Sequence, residues 1–255
     1  GRDDKPSPQA ICGHATAFGG FDASEGGALD RLGIVDPGDN KLEGRELHVW
    51  DASPYIVPIH YGLRRPSVVL QSAGPYTITG AIVVVPLDQT DSESVVGDFA
   101  VGMPDFSQEI SPKWPGLCGP TSAADVLYHI ATFRPTVLSG LPRGPSAEAD
   151  MAFEEMLTGG LNEILPESLA GRMGAGKAGD GTSYIGIQQG LELWLSEYDD
   201  GRWRVSLEWF DDKPRDRVEQ QAFFAKLAEV LAAGGGAVIC LWPGTEYVDR
   251  PVFEE

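Results

Sequence analysis

The chain has 255 residues, 42% of them apolar and 22% charged, enough to bury the core of one large domain or two small ones and too apolar for global disorder. Thirty-eight acids against 19 bases give a formal charge of −19, a field that repels phosphate backbones and argues against general nucleic-acid binding. The longest apolar runs, 81–86 and 237–242, are strand-sized and fall well short of the ~20 residues that a membrane helix needs.

The chain begins at Gly1 rather than Met, as a processed or trimmed product would, and no signal peptide or targeting motif is visible. Residues 1–10 hold Pro6 and Pro8 and read as a loop. Residues 11–18 are apolar and predict a strand, 19–27 a turn-rich connection, and 32–35 a second strand closed by Asp36-Pro37-Gly38. From 45 to 100 the chain is rich in Val, Ile, Tyr and Thr, with strands expected near 46–50, 55–61, 67–71, 76–85 and 95–100. The character changes near residue 104. A loop over 105–115 leads to a helix over 119–131, whose Ala123, Ala124, Val126, Leu127, Ile130 and Ala131 recur at helical period, and Pro120 suits its first turn. Weaker helices are expected over 147–157 and 161–170, then a loop over 171–181 and a helix capped by Thr182 or Ser183 that runs to about Tyr198. A strand over 202–210, an amphipathic helix over 216–233, a Gly234-Gly235-Gly236 stop and a buried strand over 237–242 complete the pattern.

The segment that carries chemistry runs from Asp105 to His129. It puts Cys118, in Leu-Cys-Gly-Pro-Thr-Ser, at the start of an apolar helix, where free N–H groups and the helix dipole stabilise a thiolate. Gly119 allows close approach of a substrate carbonyl, Trp114 could line a cleft, and Gln108, ten residues upstream, could offer its amide to a developing oxyanion. A lone buried cysteine beside a helix end is the plainer alternative; the Gln108 spacing and the residues after Cys118 favour a nucleophile.

These residues resemble the papain-like cysteine peptidases, and most of all the branch of double-glycine leader peptidases of bacteriocin exporters and their stand-alone relatives, in which a Gln and a short loop precede Cys-Gly-Pro-(Ala/Thr)-Ser/Cys and an apolar helix. The resemblance implies Cys118 as nucleophile and Gln108 as oxyanion donor, with a Gly-His strand and a later Asp or Asn to follow. No histidine follows His129, which lies eleven residues along the same helix and so about 16 Å away, and is read as a helix-surface or core-edge residue. His14, His48 and His60 precede the cysteine. His14 lies in Cys-Gly-His-Ala-Thr-Ala-Phe-Gly-Gly-Phe-Asp22, followed by Leu-Gly-Ile-Val-Asp-Pro-Gly38, which resembles the second half of the same family pattern. The halves therefore stand in reverse order. With residue 255 joined to residue 1, His14 would follow Cys118 by about 150 positions, where papain-type enzymes place their His roughly 130–150 after the Cys. A circular permutant, a fragment whose base follows residue 255, and a chance likeness all fit; permutation is the reading taken here. The implied roles are then His14 as base and Asp36 as its orienter, with Asp22 the second candidate for the orienter.

Other motifs carry less. Gly171-Arg-Met-Gly-Ala-Gly-Lys177 lacks the Ser/Thr of a phosphate loop, and neither it nor the glycines to 179 follow a predicted strand. The cysteines and histidines lack metal-ligand spacing, and no cofactor is implied. The three cysteines do not make a disulfide scaffold and leave at least one thiol free; Cys12 and Cys240, on neighbouring strands under the permuted reading, are either two small core residues or a disulfide that would suit an extracytoplasmic protein. The expectation is an α+β papain-like two-lobe fold. Its His/Asp half of the β lobe occupies 1–44, a β-rich elaboration or small accessory domain 45–103, and a Cys-bearing helical lobe with returning strands 104–255. Its substrate would be a peptide or protein, cleaved at a peptide or isopeptide bond; the rival is a non-catalytic binding or structural module that keeps the fold.

Overall fold

The computed structural model describes residues 12–22, 31–38, 48–49, 55–62, 64–70, 75–88, 95–96, 99–100, 103–108, 116–142, 146–160, 163–175, 181–199, 202–210 and 216–243. Strands β1 (His14–Asp22), β2 (Arg31–Val35), β3 (His48–Val49), β4 (Tyr55–Pro58), β5 (Ser67–Val69), β6 (Pro75–Pro86), β7 (Val95–Val96), β8 (Phe99–Ala100) and β9 (Asp105–Phe106) precede the helices α1 (Cys118–Phe133), α2 (Ala147–Thr158), α3 (Leu169–Arg172) and α4 (Tyr184–Tyr198). Strand β10 (Trp203–Trp209), helix α5 (Arg217–Ala232) and strand β11 (Gly236–Pro243) follow. The fold is α+β. An antiparallel sheet runs β10-β6-β11-β1-β2-β4, with β5 added on β6 and β8 on β1, while β3 and β9 form a separate two-stranded ribbon.

Alternation along β11 decides which layer lies where, because successive side chains leave a strand on opposite faces. Val238 and Cys240 belong to the core beneath α1 and α4, whereas Ala237, Ile239 and Leu241 belong to the core beneath α5. The α5 side is built on spacing: Phe224, Leu227 and Leu231 fall on one helix stripe and are fully buried. Phe224 meets Phe21 edge-on at 5.5 Å, and truncating such a side chain to Ala costs about 3–5 kcal/mol. Asp216 caps α5 by accepting the Glu219 N–H.

Several expectations change in the folded chain. Residues 19–22 continue β1 instead of turning. A bulge between Phe18 and Gly20 absorbs the Gly-Gly pair, with Gly20 at φ 126°, and so keeps both Phe18 and Phe21 buried. The expected loop at 105 is a short strand paired with residues 48–49. The expected helix over 161–170 shrinks to Leu169–Arg172. Pro166 disfavours helical backbone before it, and Ser168 starts the helix afresh by accepting the Gly171 N–H. His129 is fully buried, not at the helix surface, because α1 is covered on nearly all sides.

Strands β4 to β8 are built into the main sheet, where β6 lies between β10 and β11. Strands β1 and β11 are antiparallel neighbours, with Ala15 opposite Cys240 and His14 opposite Leu241. Among the described residues no helix is long and apolar enough to cross a membrane.

Candidate active site

Cys118 is the first residue of α1. Leu117 occupies the cap position and supplies no side-chain acceptor, so the first-turn N–H groups keep their partial positive charge beside the thiol. Two glycines make this corner possible. Gly116 sits at φ 91°, in the left-handed region that favours glycine, and a Cβ there would lie 3.0 Å from the Gly181 Cα. Gly119 packs flat on the start of α4: a Cβ would lie 2.9 Å from Ile187 and 3.2 Å from Thr182. One turn along, the Ser122 hydroxyl donates to the Ala15 carbonyl at 3.0 Å and pins the helix of Cys118 to β1.

His14 opens β1, one residue from that pin. The glycine before it is needed for packing: a methyl group on Gly13 would come within 2.3 Å of the Pro243 Cδ and 3.1 Å of the Leu241 carbonyl. Asp36 follows β2, which returns antiparallel to β1 and so carries the carboxylate back to the His14 end of the sheet. The Asp36 Oδ1 accepts from His14 Nε2 at 2.6 Å and from the Gly38 N–H at 2.9 Å, and Asp36 has no solvent exposure. With Nε2 given to Asp36, the other ring nitrogen is left for Cys118, whose thiol hydrogen-bonds the imidazole. Burial by itself would push the ring's pKa down. The Asp36 hydrogen bond, then the Cys118 hydrogen bond and the charges of both, outweigh it and raise the imidazole to about 10. His14 is therefore an imidazolium in neutral solution, held between a carboxylate and a thiol.

The geometry brings Cys118, His14 and Asp36 together from three separate stretches of chain. Gln108 arrives by its backbone: its N–H donates to the Pro37 carbonyl at 3.1 Å, directly beside Asp36, and its side chain is half-buried. Asp22 is not part of the group. It ends β1 eight residues from His14, about 26 Å along an extended strand. Trp114 lies outside the described residues. His60 sits in an isolated bridge with Ser67, and His48 in the ribbon with Phe106, so neither is the ring beside Cys118.

Two contributors escaped the sequence reading. Tyr76 of β6 stacks on His14, with ring centroids 5.5 Å apart and planes at 30°. Its hydroxyl is pushed up by burial, then by the charges of Asp36 and Cys118, which places it at the same site. Nothing in the local pattern of 75–86 marks it, because the contact depends on β6 lying next to β11. Ser122 had a signal, as the Ser of the Cys-Gly-Pro-Thr-Ser run. Cys12 and Cys240, like Cys118, are free and buried. The Cys12 thiol donates to the His14 carbonyl at 2.8 Å, so it braces the strand start that carries the imidazole. Among the described residues no group of three or more His, Cys, Asp or Glu is arranged to hold a metal ion. Comparison with protein-family models, curated proteins and solved structures finds no match.

Proposed function

We propose that this chain is a papain-like cysteine peptidase with its halves in permuted order, hydrolysing a peptide or isopeptide bond. The observation that carries the reading is the seating of one imidazole between a buried carboxylate at 2.6 Å and a thiol at a helix start. Structural histidines are commonly satisfied by one acceptor; a ring that also meets a cysteine at the positive end of a helix has the parts of an activated nucleophile. Permutation is supported by the sheet. The strand after α5 and the strand that begins with His14 are antiparallel neighbours, and the ends of the described chain approach each other where Pro243 meets Gly13. Joined there, the order would become Cys118, β11, His14, Asp36.

In this reaction the thiol proton already rests on His14 Nδ1, so Cys118 reacts as the thiolate of an ion pair with the imidazolium. The thiolate attacks the substrate carbonyl carbon, and the pair of electrons on the carbonyl moves to oxygen. The Cys118 backbone N–H and the Gln108 amide receive the oxyanion. Collapse breaks the carbon–nitrogen bond, His14 returns the proton to the departing amine, and a thioester remains. Water, deprotonated by the same imidazole, then attacks the thioester and releases the acid, which leaves the thiolate and imidazolium of the starting pair. Asp36 keeps its charge throughout and fixes the ring's orientation.

Two measurements test the reading together. Iodoacetamide at pH 6–7, followed by peptide mapping, should label Cys118 ahead of Cys12 and Cys240, and much more slowly in His14→Gln. A pooled peptide library should be cleaved by the native chain and left intact by Cys118→Ala. No cleavage, together with Cys118 labelling that His14→Gln leaves unchanged, would support a non-catalytic module instead.

A further inference from the structure

We infer that Asp125, two turns along α1 from Cys118, is a positioning residue that holds the Gln108 segment against the nucleophile's helix. The inference deepens the peptidase reading and rests on it for its kinetic arm only.

The Gln108 segment has little of its own to fix it. Strand β9 is two residues long, and among the described strands it pairs with β3. It is instead fastened at two points. At one end the Phe106 N–H donates to the Asp125 Oδ1 at 3.2 Å, while the Phe106 ring stacks on Phe153 at 3.9 Å and meets Tyr128 edge-on at 4.9 Å. At the other end the Gln108 N–H donates to the Pro37 carbonyl. Asp125 sits on the helix that carries the nucleophile, and Pro37 is the neighbour of the carboxylate that holds the base. The two fastenings therefore set Gln108 relative to both halves of the site, through residues 106–108.

Asp125 is an unusual choice for such a fastener. It has no solvent exposure, and its Oδ2 is buried with no hydrogen-bond partner among the described residues. An ionised carboxylate in that position would be costly, so the side chain serves as a neutral acid. Burial first, then the charge of Asp105 on β9, push it well above the ordinary carboxylate range, against the Phe106 N–H and with the charge of Asp36 after β2.

Hydrogen exchange tests this without a substrate. In Asp125→Ala the Phe106 and Gln108 amides should exchange about tenfold faster, as expected for the loss of one neutral hydrogen bond, with the rest of α1 as in the native chain. Asp125→Asn, which keeps an acceptor for the Phe106 N–H, should restore protection. The kinetic arm is a double-mutant cycle: Gln108→Ala should cost about a hundredfold in kcat, and Asp125→Ala should add little in that background. Native exchange at Phe106 and Gln108 in Asp125→Ala overturns the inference. So does a failure of Asp125→Asn to restore protection, or full additivity in the cycle. Failure of the peptidase reading would appear separately, as absent cleavage by the native chain with the exchange result intact.

Discussion

Replacing Asp36 with Asn removes the charge behind His14 while leaving the size of the side chain and an oxygen for the Gly38 N–H. The magnitude follows from the geometry. The 2.6 Å contact between Oδ1 and Nε2 is a charge-assisted hydrogen bond in a site closed to water. Such bonds contribute about 1.5–3 kcal/mol, and one pKa unit corresponds to about 1.4 kcal/mol, so the midpoint of His14 should fall by about one to two units from its native value near 10. Imidazole NMR of the labelled histidines reads this directly, with His14→Gln identifying the signal among the four. Stability should follow the same groups. A base whose pKa rises from 6.5 to about 10 on folding contributes stability that is full below 6.5 and lost as the pH climbs through 10. The Tm gap between native and Asp36→Asn should therefore be wide near pH 6.5 and narrow toward pH 10. A native His14 that titrates near 6.5, or a midpoint that does not move in the variant, would refute the view that Asp36 governs the ring.

Gly13→Ala should lower the denaturation midpoint by about 1–3 kcal/mol of stability, because its methyl group would overlap Pro243; an unchanged midpoint would contradict that close approach. The proton on His14 Nε2, covered by Tyr76, should give a downfield NMR signal that survives in Tyr76→Phe and is lost to water exchange in Tyr76→Ala. Gln108→Ala should cost about a hundredfold in turnover yet leave Cys118 alkylation at its native rate, since alkylation forms no oxyanion. Thiol titration of the unreduced, denatured chain should find Cys12, Cys118 and Cys240 all free; fewer than three would establish a bond that the folded geometry does not contain.

What could be read in advance depended on how local the cause was. The start of α1 was legible because Pro120, the apolar repeat and the residues around Cys118 all act within two turns. Asp36 was preferred to Asp22 by counting strands, and the return of β2 along β1 is the reason that count works. The continuation of β1 past Gly19 was not legible: Gly-Gly marks a turn unless a neighbouring strand supplies the bulge, and that neighbour is set by the whole sheet. The same holds for residues 105–106, whose partner is nearly 60 residues upstream, and for Tyr76, whose contact with His14 exists only across β11. His129 was misplaced because its burial comes from the layers around α1, which helical periodicity alone cannot count. The likeness to a papain-type site came from short runs of residues, and the fold supplies the proximity that those runs lacked.

The pairing of β1 with β11 also sets a schedule. His14 is among the first described residues to be synthesised, yet the strand beside it on one side appears about 225 residues later, a separation that makes the contact costly to close and late to form. Until β11 is made, β1 has an open edge there, Gly13 lacks the Pro243 contact, and the strand start under the imidazole is unsupported. The helix that carries Cys118 packs largely on β1 and β11, so its seating on the sheet is late as well. A growing chain thus carries His14 and Cys118 before they are held together, and the group is assembled only when the last described strand closes the sheet.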